Sequence, residues 1–237
     1  MRVTKWAKLA ILGAMALLAP SLSGAADKPY GDKSRGNWTA TVTRTDDGQY
    51  VLGNPNAPIK LTEFVSYTCP HCATFQKQAD TTLRVAYVSP GKVSIKIQHV
   101  MRDPVDMTVA MLTNCGDTAG FFKRHHFFLY GQDKWLTKMG TMSEAQMGRW
   151  NRGGLGDRLK AVAADFGFYE TMSQWGYSRV QVEKCLADQS MADRIVAQTS
   201  AARMLGVPGT PSFAIGGDLL AGTHEWKTLK PQLKARM

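Results

Sequence analysis

The sequence predicts an α/β fold that is interrupted by an inserted all-helical domain, and three observations support this prediction. An apolar, strand-like run at 59–67 leads into a helical pattern at 73–88, and alternating apolar residues at 93–97 indicate a second strand. From 103 to 206 the periodicity is helical, with no convincing strand. Strand and turn patterns return only after Gly206. The chain therefore leaves an α/β unit and comes back to it.

Residues 1–26 have the pattern of a secretory signal peptide. Three basic residues precede an apolar stretch at 9–18 that is short for a membrane span, and small residues follow at 23–26. A membrane anchor is the alternative. Export leads to a compartment where disulfides persist, so the four cysteines are most simply two bridges. We expect a periplasmic protein, although the signal alone also fits export from a Gram-positive cell.

The distribution of charge along the chain argues against a nucleic-acid-binding site. The 237 residues carry a net charge of +10, and three of these positive charges lie in the signal peptide, which leaves +7. No run of five or six like charges and no nucleic-acid motif is present. The basic residues therefore predict a solvated surface. The remaining length, about 210 residues, suffices for one domain with a large insertion.

Residues 27–52 are predicted to form an N-terminal extension that ends in a hairpin. The stretch 27–40 is polar and rich in glycine and lysine. Between Thr39 and Leu52, apolar residues flank an Asp-Asp-Gly turn signal at 46–48, which is typical of a β-hairpin.

Cys69, Pro70, His71 and Cys72 lie between the first long strand and the first helix. Two cysteines three positions apart at a helix start share one face, which brings them within disulfide reach. Pro70 suits the first helical position. At a helix N-terminus the thiolate of Cys69 is stabilised, and His71 can add a positive charge or an N–H. A stabilised thiolate makes the disulfide a stronger oxidant.

Three other interpretations of this motif are a structural disulfide, half of a zinc site and a c-type haem anchor. Haem attachment needs histidine directly after the second cysteine, where Ala73 stands. A zinc site needs a second ligand pair at short spacing, and none follows. The position between a strand and a helix therefore favours redox chemistry, and we expect no metal and no cofactor.

The segment 103–205 is predicted to be a helical insertion domain. Glycines at several positions separate its helical patterns. The candidate helices are Pro104–Cys115, Thr118–Tyr130, Ser143–Arg149, Asp157–Phe166, Val180–Ala187 and Met191–Leu205.

Four residues of this segment carry possible chemistry. Cys115 and Cys185 fall near helix ends, and in an exported chain a structural bridge between them is favoured over two buried thiols. His125 and His126 are a possible metal pair, but adjacent residues point to different faces of a helix. We therefore expect them at the surface or at an interface.

After Gly206 the pattern indicates a loop that runs into a strand ending at Ile215, a tight turn at 216–218 and a paired strand at 219–221. A final helix is predicted from Thr223 onward, and a proline in it should end or kink it.

This order of elements resembles the DsbA family of secreted thiol–disulfide oxidoreductases, whose members have a thioredoxin fold interrupted by a helical domain. Cys-Pro-His-Cys at 69–72 is similar to the family's active-site tetrapeptide, and Gly-Thr-Pro-Ser-Phe at 209–213 to its cis-proline loop. The segment 128–135 also resembles part of the helical domain. The resemblance implies a thioredoxin-like domain at 53–102 and 206–237.

The resemblance also implies roles for single residues. Glu63, six residues before Cys69, matches the buried acid beneath the cysteines, with a surface glutamate on an edge strand as the alternative, and Thr210 and Pro211 match the loop that binds clients. In the implied exchange Cys69 is expected to be exposed, and Cys72 to be buried one turn inside the helix. Cys115 and Cys185 resemble the extra helical-domain disulfide of one branch of the family.

The sequence departs from the type member of the family at two positions. Gln76 replaces a second acid, which puts proton relay through that position in doubt, and Thr210 replaces a valine before the cis-proline, which can change how readily clients leave.

The implied function is the introduction of disulfides into reduced or unfolded exported proteins, with reoxidation by a quinone-linked membrane protein of the DsbB type. One alternative is a reductase or isomerase of the same fold, although 27–52 is short for a dimerisation module. Another is a client-binding chaperone in which the bridge between Cys69 and Cys72 is inert.

Overall fold

A computed structural model of the chain describes residues 37–237. The predicted signal peptide and the first part of the predicted extension lie outside the described residues. Six strands form one sheet: β1 (Val42–Arg44), β2 (Tyr50–Leu52), β3 (Ile59–Val65), β4 (Val93–His99), β5 (Ser212–Ile215) and β6 (Asp218–Leu219).

The helices lie mainly between β4 and β5. They are α1 (Pro70–Thr82), α2 (Pro104–Asn114), α3 (Phe121–Tyr130), α4 (Gln132–Leu136), α5 (Glu144–Arg149), α6 (Leu155–Phe166), α7 (Phe168–Ser173), α8 (Arg179–Leu186), α9 (Gln189–Met204) and α10 (Trp226–Lys234). A π-helical stretch, Leu83–Val88, continues α1, and a 3₁₀ helix, Thr137–Thr141, follows α4. Within residues 37–237, every helix is too short or too polar to cross a bilayer.

The sheet has the strand order β1-β2-β4-β3-β5-β6, with β3 in its interior. β3 runs parallel to β4 and antiparallel to β5, and β1 and β2 form the predicted hairpin with Val42 opposite Leu52. The predicted strand–helix–strand unit is therefore confirmed. Six of the seven residues of β3 are buried, because helices cover both faces of the sheet around it.

Helix α1 begins at Pro70, the predicted first helical position, three residues before the helical pattern at 73–88. Cys69 occupies the N-cap in an extended conformation and Pro70 the first helical position, as the proline requirement predicts. The face with Phe75 and Ala79 is buried, and the ring of Phe75 lies 4.6 Å from that of Phe213 on β5. This packing fixes the start of the helix against the carboxyl end of β3.

The six helices predicted between β4 and β5 are all present, with ends shifted by up to three residues. Helix α2 is buried along most of its length and supplies the core of this region. The prediction missed α4, α7 and the 3₁₀ helix, each of which is only five or six residues long.

The carboxyl-terminal region corrects three predictions. The strand paired with β5 is Asp218–Leu219, earlier than the predicted 219–221. Helix α10 begins at Trp226, later than the predicted Thr223, and of the two expectations for Pro231 the helix end is wrong, because α10 continues past it to Lys234. Because proline has no backbone N–H, the carbonyl of Lys227, four residues before Pro231, has no helical donor. Both residues are exposed, so water can hydrate that carbonyl.

Cys115 and Cys185 form a disulfide with an S–S distance of 2.00 Å. The favoured sequence prediction is thus confirmed, and the alternative of two buried thiols is wrong. The bond joins the end of α2 to α8 across 70 residues of chain.

Replacing both bridge cysteines, as Cys115→Ala/Cys185→Ala, should lower the free energy of unfolding by about 2–4 kcal/mol, because the bridge restricts the unfolded chain. Urea denaturation of the oxidised proteins checks this. In excess dithiothreitol the wild type should lose its advantage over the variant; equal midpoints without reductant would contradict the prediction.

Candidate active site

The Cys-Pro-His-Cys motif lies where β3 ends and α1 begins. Both cysteines are unbonded thiols, and Cys72 is fully buried one turn inside the helix, as the sequence predicts. Cys69 is only 3% exposed, which corrects the expectation of an exposed cysteine. The residue is covered because its thiol faces the loop before β5, where it donates a hydrogen bond to the carbonyl oxygen of Thr210 at 3.0 Å.

The surroundings of Cys69 lower the pKa of its thiol to about 5. The largest cause is a hydrogen bond with the thiol of Cys72, followed, against the opposing effect of burial, by a hydrogen bond with the side chain of Thr210. The backbone N–H groups of Cys72 and His71 add to this. His71 therefore supplies an N–H from its backbone, while its side chain is exposed.

The pKa values of Cys72 and Glu63 shift in the opposite direction to that of Cys69. Burial raises the pKa of Cys72 well above the ordinary thiol value, and the neighbouring Cys69 and Glu63 raise it further. Glu63 is 3% exposed on β3, and burial, together with the charge of Asp80, raises the pKa of its carboxyl to about 8. The alternative of a surface glutamate is excluded. An acid that titrates near neutral pH can exchange a proton with a neighbouring thiol.

The loop before β5 contains a cis peptide bond between Thr210 and Pro211, as the resemblance implies. His224 lies beside it, with Nδ1 2.9 Å from the carbonyl oxygen of Pro211 and 3.3 Å from Oγ of Ser212. A cleft of about 420 Å³ opens along this loop, with His71 on its other side. The cleft is bordered by Thr210, whose carbonyl oxygen accepts the hydrogen bond from Cys69.

Several residues that hold the motif were not predicted as site residues. The side-chain amide of Gln132 donates to the carbonyl oxygens of Tyr67 at 2.6 Å and Cys69 at 2.9 Å. The carboxylate of Asp106 accepts from the backbone N–H of Tyr67 at 2.7 Å and from Oγ of Ser66 at 2.6 Å. Gln132 lies in the segment 128–135 that the resemblance singled out; no pattern in the sequence marks Asp106.

The prediction that His125 lies at the surface is wrong. Its side chain is fully buried, with Nδ1 2.9 Å from the hydroxyl of Tyr67, and burial lowers the pKa of its imidazole well below the ordinary value. His126 is partly exposed and pairs with Asp80 instead. Within residues 37–237, no group of three or more histidine, cysteine or acidic side chains is arranged to hold a metal ion.

Comparison with known proteins agrees with this geometry. A family model described as thioredoxin matches residues 45–235. A crystal structure of a protein-disulfide isomerase from Novosphingobium aromaticivorans is 44% identical, with a TM-score of 0.77, and the match covers 80% of this chain and 97% of that one. The crystal structure of α-DsbA1 from Wolbachia pipientis matches with 21% identity, a TM-score of 0.61 and coverage of 78% and 88%. This second likeness concerns the fold alone, and it confirms the resemblance to the DsbA fold.

Curated relatives are more distant. A candidate protein-disulfide oxidoreductase of Rickettsia conorii is 26% identical over 176 residues, which cover 73% of this chain and 55% of the relative. The chain thus spans a little over half the length of the curated relatives that it matches.

Titration of the reduced protein should show a thiolate transition with a midpoint near pH 5, assigned to Cys69. Thiolate absorbance at 240 nm between pH 3 and 9 measures it. The transition should vanish in Cys69→Ser and persist in Cys115→Ala/Cys185→Ala. A midpoint of about 8 or higher, the ordinary thiol range, would show that the helix start and Thr210 do not stabilise the thiolate.

Glu63→Gln should stabilise the protein at pH 7 by about 1–3 kcal/mol, because the wild-type carboxyl is kept neutral by burial while the unfolded chain ionises. Its folded pKa is raised, so its favourable contribution is complete below about pH 4.5 and is lost as the pH rises to about 8. The advantage of the variant, from urea denaturation, should therefore grow over this window. A difference that does not vary with pH would contradict the shift of Glu63.

Proposed function

The chain belongs to the family that the thioredoxin model describes, and from this premise we propose that it exchanges disulfides with protein clients through Cys69 and Cys72. The observation that carries the proposal is the contrast between the two thiols: one is acidic and lies beside a cleft, and the other is buried and holds its proton. An inert structural bridge needs no such contrast.

The direction that we propose is oxidation of clients. A client thiolate attacks Sγ of Cys69 in the disulfide form, which creates a mixed disulfide and releases Cys72 as a thiolate that takes up a proton. A second client thiolate attacks the client sulfur of the mixed disulfide and forms the client's bridge. Cys69 leaves as a thiolate, and its low pKa makes it a good leaving group.

The acidity of Cys69 supports this direction. Its pKa of about 5 is lower than the roughly 7 of the attacking cysteine of thioredoxin. A more stable thiolate favours the reduced form of the pair, and the disulfide is a stronger oxidant in consequence.

Isomerisation is the second candidate, because the relative from Novosphingobium aromaticivorans is described as a protein-disulfide isomerase. An isomerase starts from the reduced pair and attacks incorrect client disulfides, so it needs the same acidic Cys69 but a pair that is kept reduced.

We propose that clients bind in the cleft as extended segments beside Thr210. The cis peptide places the backbone of Thr210 next to Cys69, within reach of a strand that pairs through main-chain hydrogen bonds. Such pairing tolerates many client sequences. His71 and His224 border the same cleft.

The setting that we propose is the periplasm, with residues 1–26 as the export signal and reduced exported proteins as clients. A quinone-linked membrane oxidase of the DsbB type is the proposed acceptor of electrons from the reduced pair. We also propose that the thioredoxin-like domain consists of residues 53–102 and 206–237, and that the helical domain consists of residues 103–205. Residues 27–52 form an N-terminal extension of the same catalyst. The net positive charge of the chain fits acidic clients or an anionic membrane surface.

The reduction potential of the Cys69–Cys72 pair, measured by equilibration with glutathione, should lie well above the roughly −270 mV of thioredoxin. In the same series, the oxidised protein should transfer disulfides to a reduced dithiol peptide; Cys69→Ser should be inactive, and Cys72→Ala should accumulate mixed disulfides.

Three outcomes separate the alternatives. Efficient refolding of a client containing scrambled disulfides by the reduced protein would establish the isomerase instead, and a potential near that of thioredoxin would indicate a reductase. Full oxidative folding by Cys69→Ser would support the chaperone with an inert bridge.

A further inference from the structure

A small cavity lies behind the active site, on the side of Glu63 that faces α3. We call it the Glu63 cavity. The space that the centre of a water molecule can occupy in this cavity is about 10 Å³, which is enough for one water. The polar residues of its wall are Glu63, Gln76, Asp80, His125 and His126.

One carboxyl oxygen of Glu63, at the wall of this cavity, is unpaired among the described residues. This oxygen is Oε1, which is buried. A buried polar atom that stays unpaired costs free energy of about 1–3 kcal/mol, and a polar space of this size next to it favours a water.

The opposite wall of the cavity reaches solvent at the pair formed by Asp80 and His126. Nε2 of His126 lies 3.0 Å from Oδ1 of Asp80, and the two side chains are 17% and 19% exposed. Nδ1 of His126 lies 3.4 Å from a guanidinium nitrogen of Arg84, which only donates. Nδ1 is therefore the acceptor, and Nε2–H donates to Asp80.

We propose that Asp80, held by His126, is the outer station of a proton path that connects solvent to Cys72 through one water in the Glu63 cavity and the carboxyl of Glu63. This inference rests on the proposed disulfide exchange and assigns the proton of that reaction a route.

The path balances the proposed chemistry. When a client thiolate attacks Sγ of Cys69, the S–S bond breaks and Cys72 leaves as a thiolate. Protonated Glu63 gives its proton to Cys72, which becomes a neutral thiol, and Glu63 becomes a carboxylate. The water then passes a proton to Glu63 and regains one from solvent by way of Asp80. Reoxidation of the pair runs the same proton outward.

The other polar residues of the cavity wall are less suited to pass a proton between the water and solvent. The amide of Gln76 can hold the water but does not release a proton near neutral pH. His125 is buried away from solvent and already contacts the hydroxyl of Tyr67. Asp80 combines an ionisable oxygen, contact with the cavity and contact with solvent.

The charges around Asp80 agree with this role. His126 and Arg84 face it from α3 and from the π-helical stretch, and Tyr130 and Glu63 are near enough for its charge to raise their pKa values. Asp80 and Glu63 thus influence each other electrostatically across the cavity.

The test compares Asp80→Asn with the control Asp133→Asn. Asp133 is an exposed acid on α4, and it pairs with Lys77 on α1, the helix that contains Asp80. The rate at which a small thiol reduces the Cys69–Cys72 disulfide is followed by tryptophan fluorescence from pH 5 to 9. Asp80→Asn should lower this rate by about tenfold, less than the hundredfold or more that is typical of losing a general acid itself. Asp80→Glu should restore it, and Asp133→Asn should match the wild type.

A second readout does not depend on activity. Carboxyl carbon-13 chemical shifts report the titration of Glu63, whose pKa should fall in Asp80→Asn because a neighbouring negative charge is lost. Asp80→Ser replaces Asp80→Asn if circular dichroism shows that the latter does not fold.

The possible failures are distinct. An active wild type with an unchanged rate profile and Glu63 titration in Asp80→Asn would overturn the path while leaving the proposed function intact. A wild type that does not exchange disulfides at all would overturn the proposed function, whatever the titration of Glu63 shows.

Discussion

The hydrogen bond from the Cys69 thiol to the carbonyl oxygen of Thr210 joins two parts of the chain that are 141 positions apart. It depends on the antiparallel pairing of β3 with β5, which sets Phe64 opposite Ser212 and brings the cis peptide to the start of α1. The sheet therefore positions the two loops that form the site. Helices between β4 and β5 then support this contact, because Gln132 donates to the carbonyl oxygen of Cys69 and Asp106 accepts from the backbone N–H of Tyr67.

Burial raises the pKa of both thiols, but hydrogen bonds, first with the thiol of Cys72, outweigh it at Cys69, whereas at Cys72 the hydrogen bond with the backbone of Ser66 does not. Cys69 lies at a helix N-terminus, where backbone N–H groups and Thr210 offset the cost of a buried charge. Cys72 lies one turn inside the helix, where those N–H groups are already bonded, and burial dominates. A difference of three positions thus separates a leaving group from a group that must be protonated. Glu63, buried in β3 without donors, also favours its neutral form.

Local patterns in the sequence predicted every strand and most helices, because apolar spacing and turn residues act over a few neighbouring positions. The motif, the proline at the helix start and the bridge between Cys115 and Cys185 follow from similar local or compartment arguments. The coverage of Cys69, the burial of His125 and the role of Asp106 depend on contacts between distant segments. Such contacts leave no periodic signal, and only the folded chain reveals them.

A site that buries its second cysteine must also supply a proton to it, since an unpaired thiolate in an apolar interior is costly and has no contact with solvent. The sheet and α1 supply Glu63 and Cys72 but close both of them off from water. Helix α3 packs against α1 and contributes His126, which holds Asp80 where the cavity meets the surface. With Gln76 in place of an acid, the polar wall of the cavity meets solvent at this helix contact. The helical region then does more than cover the sheet, because it completes the proton supply of the sulfur pair.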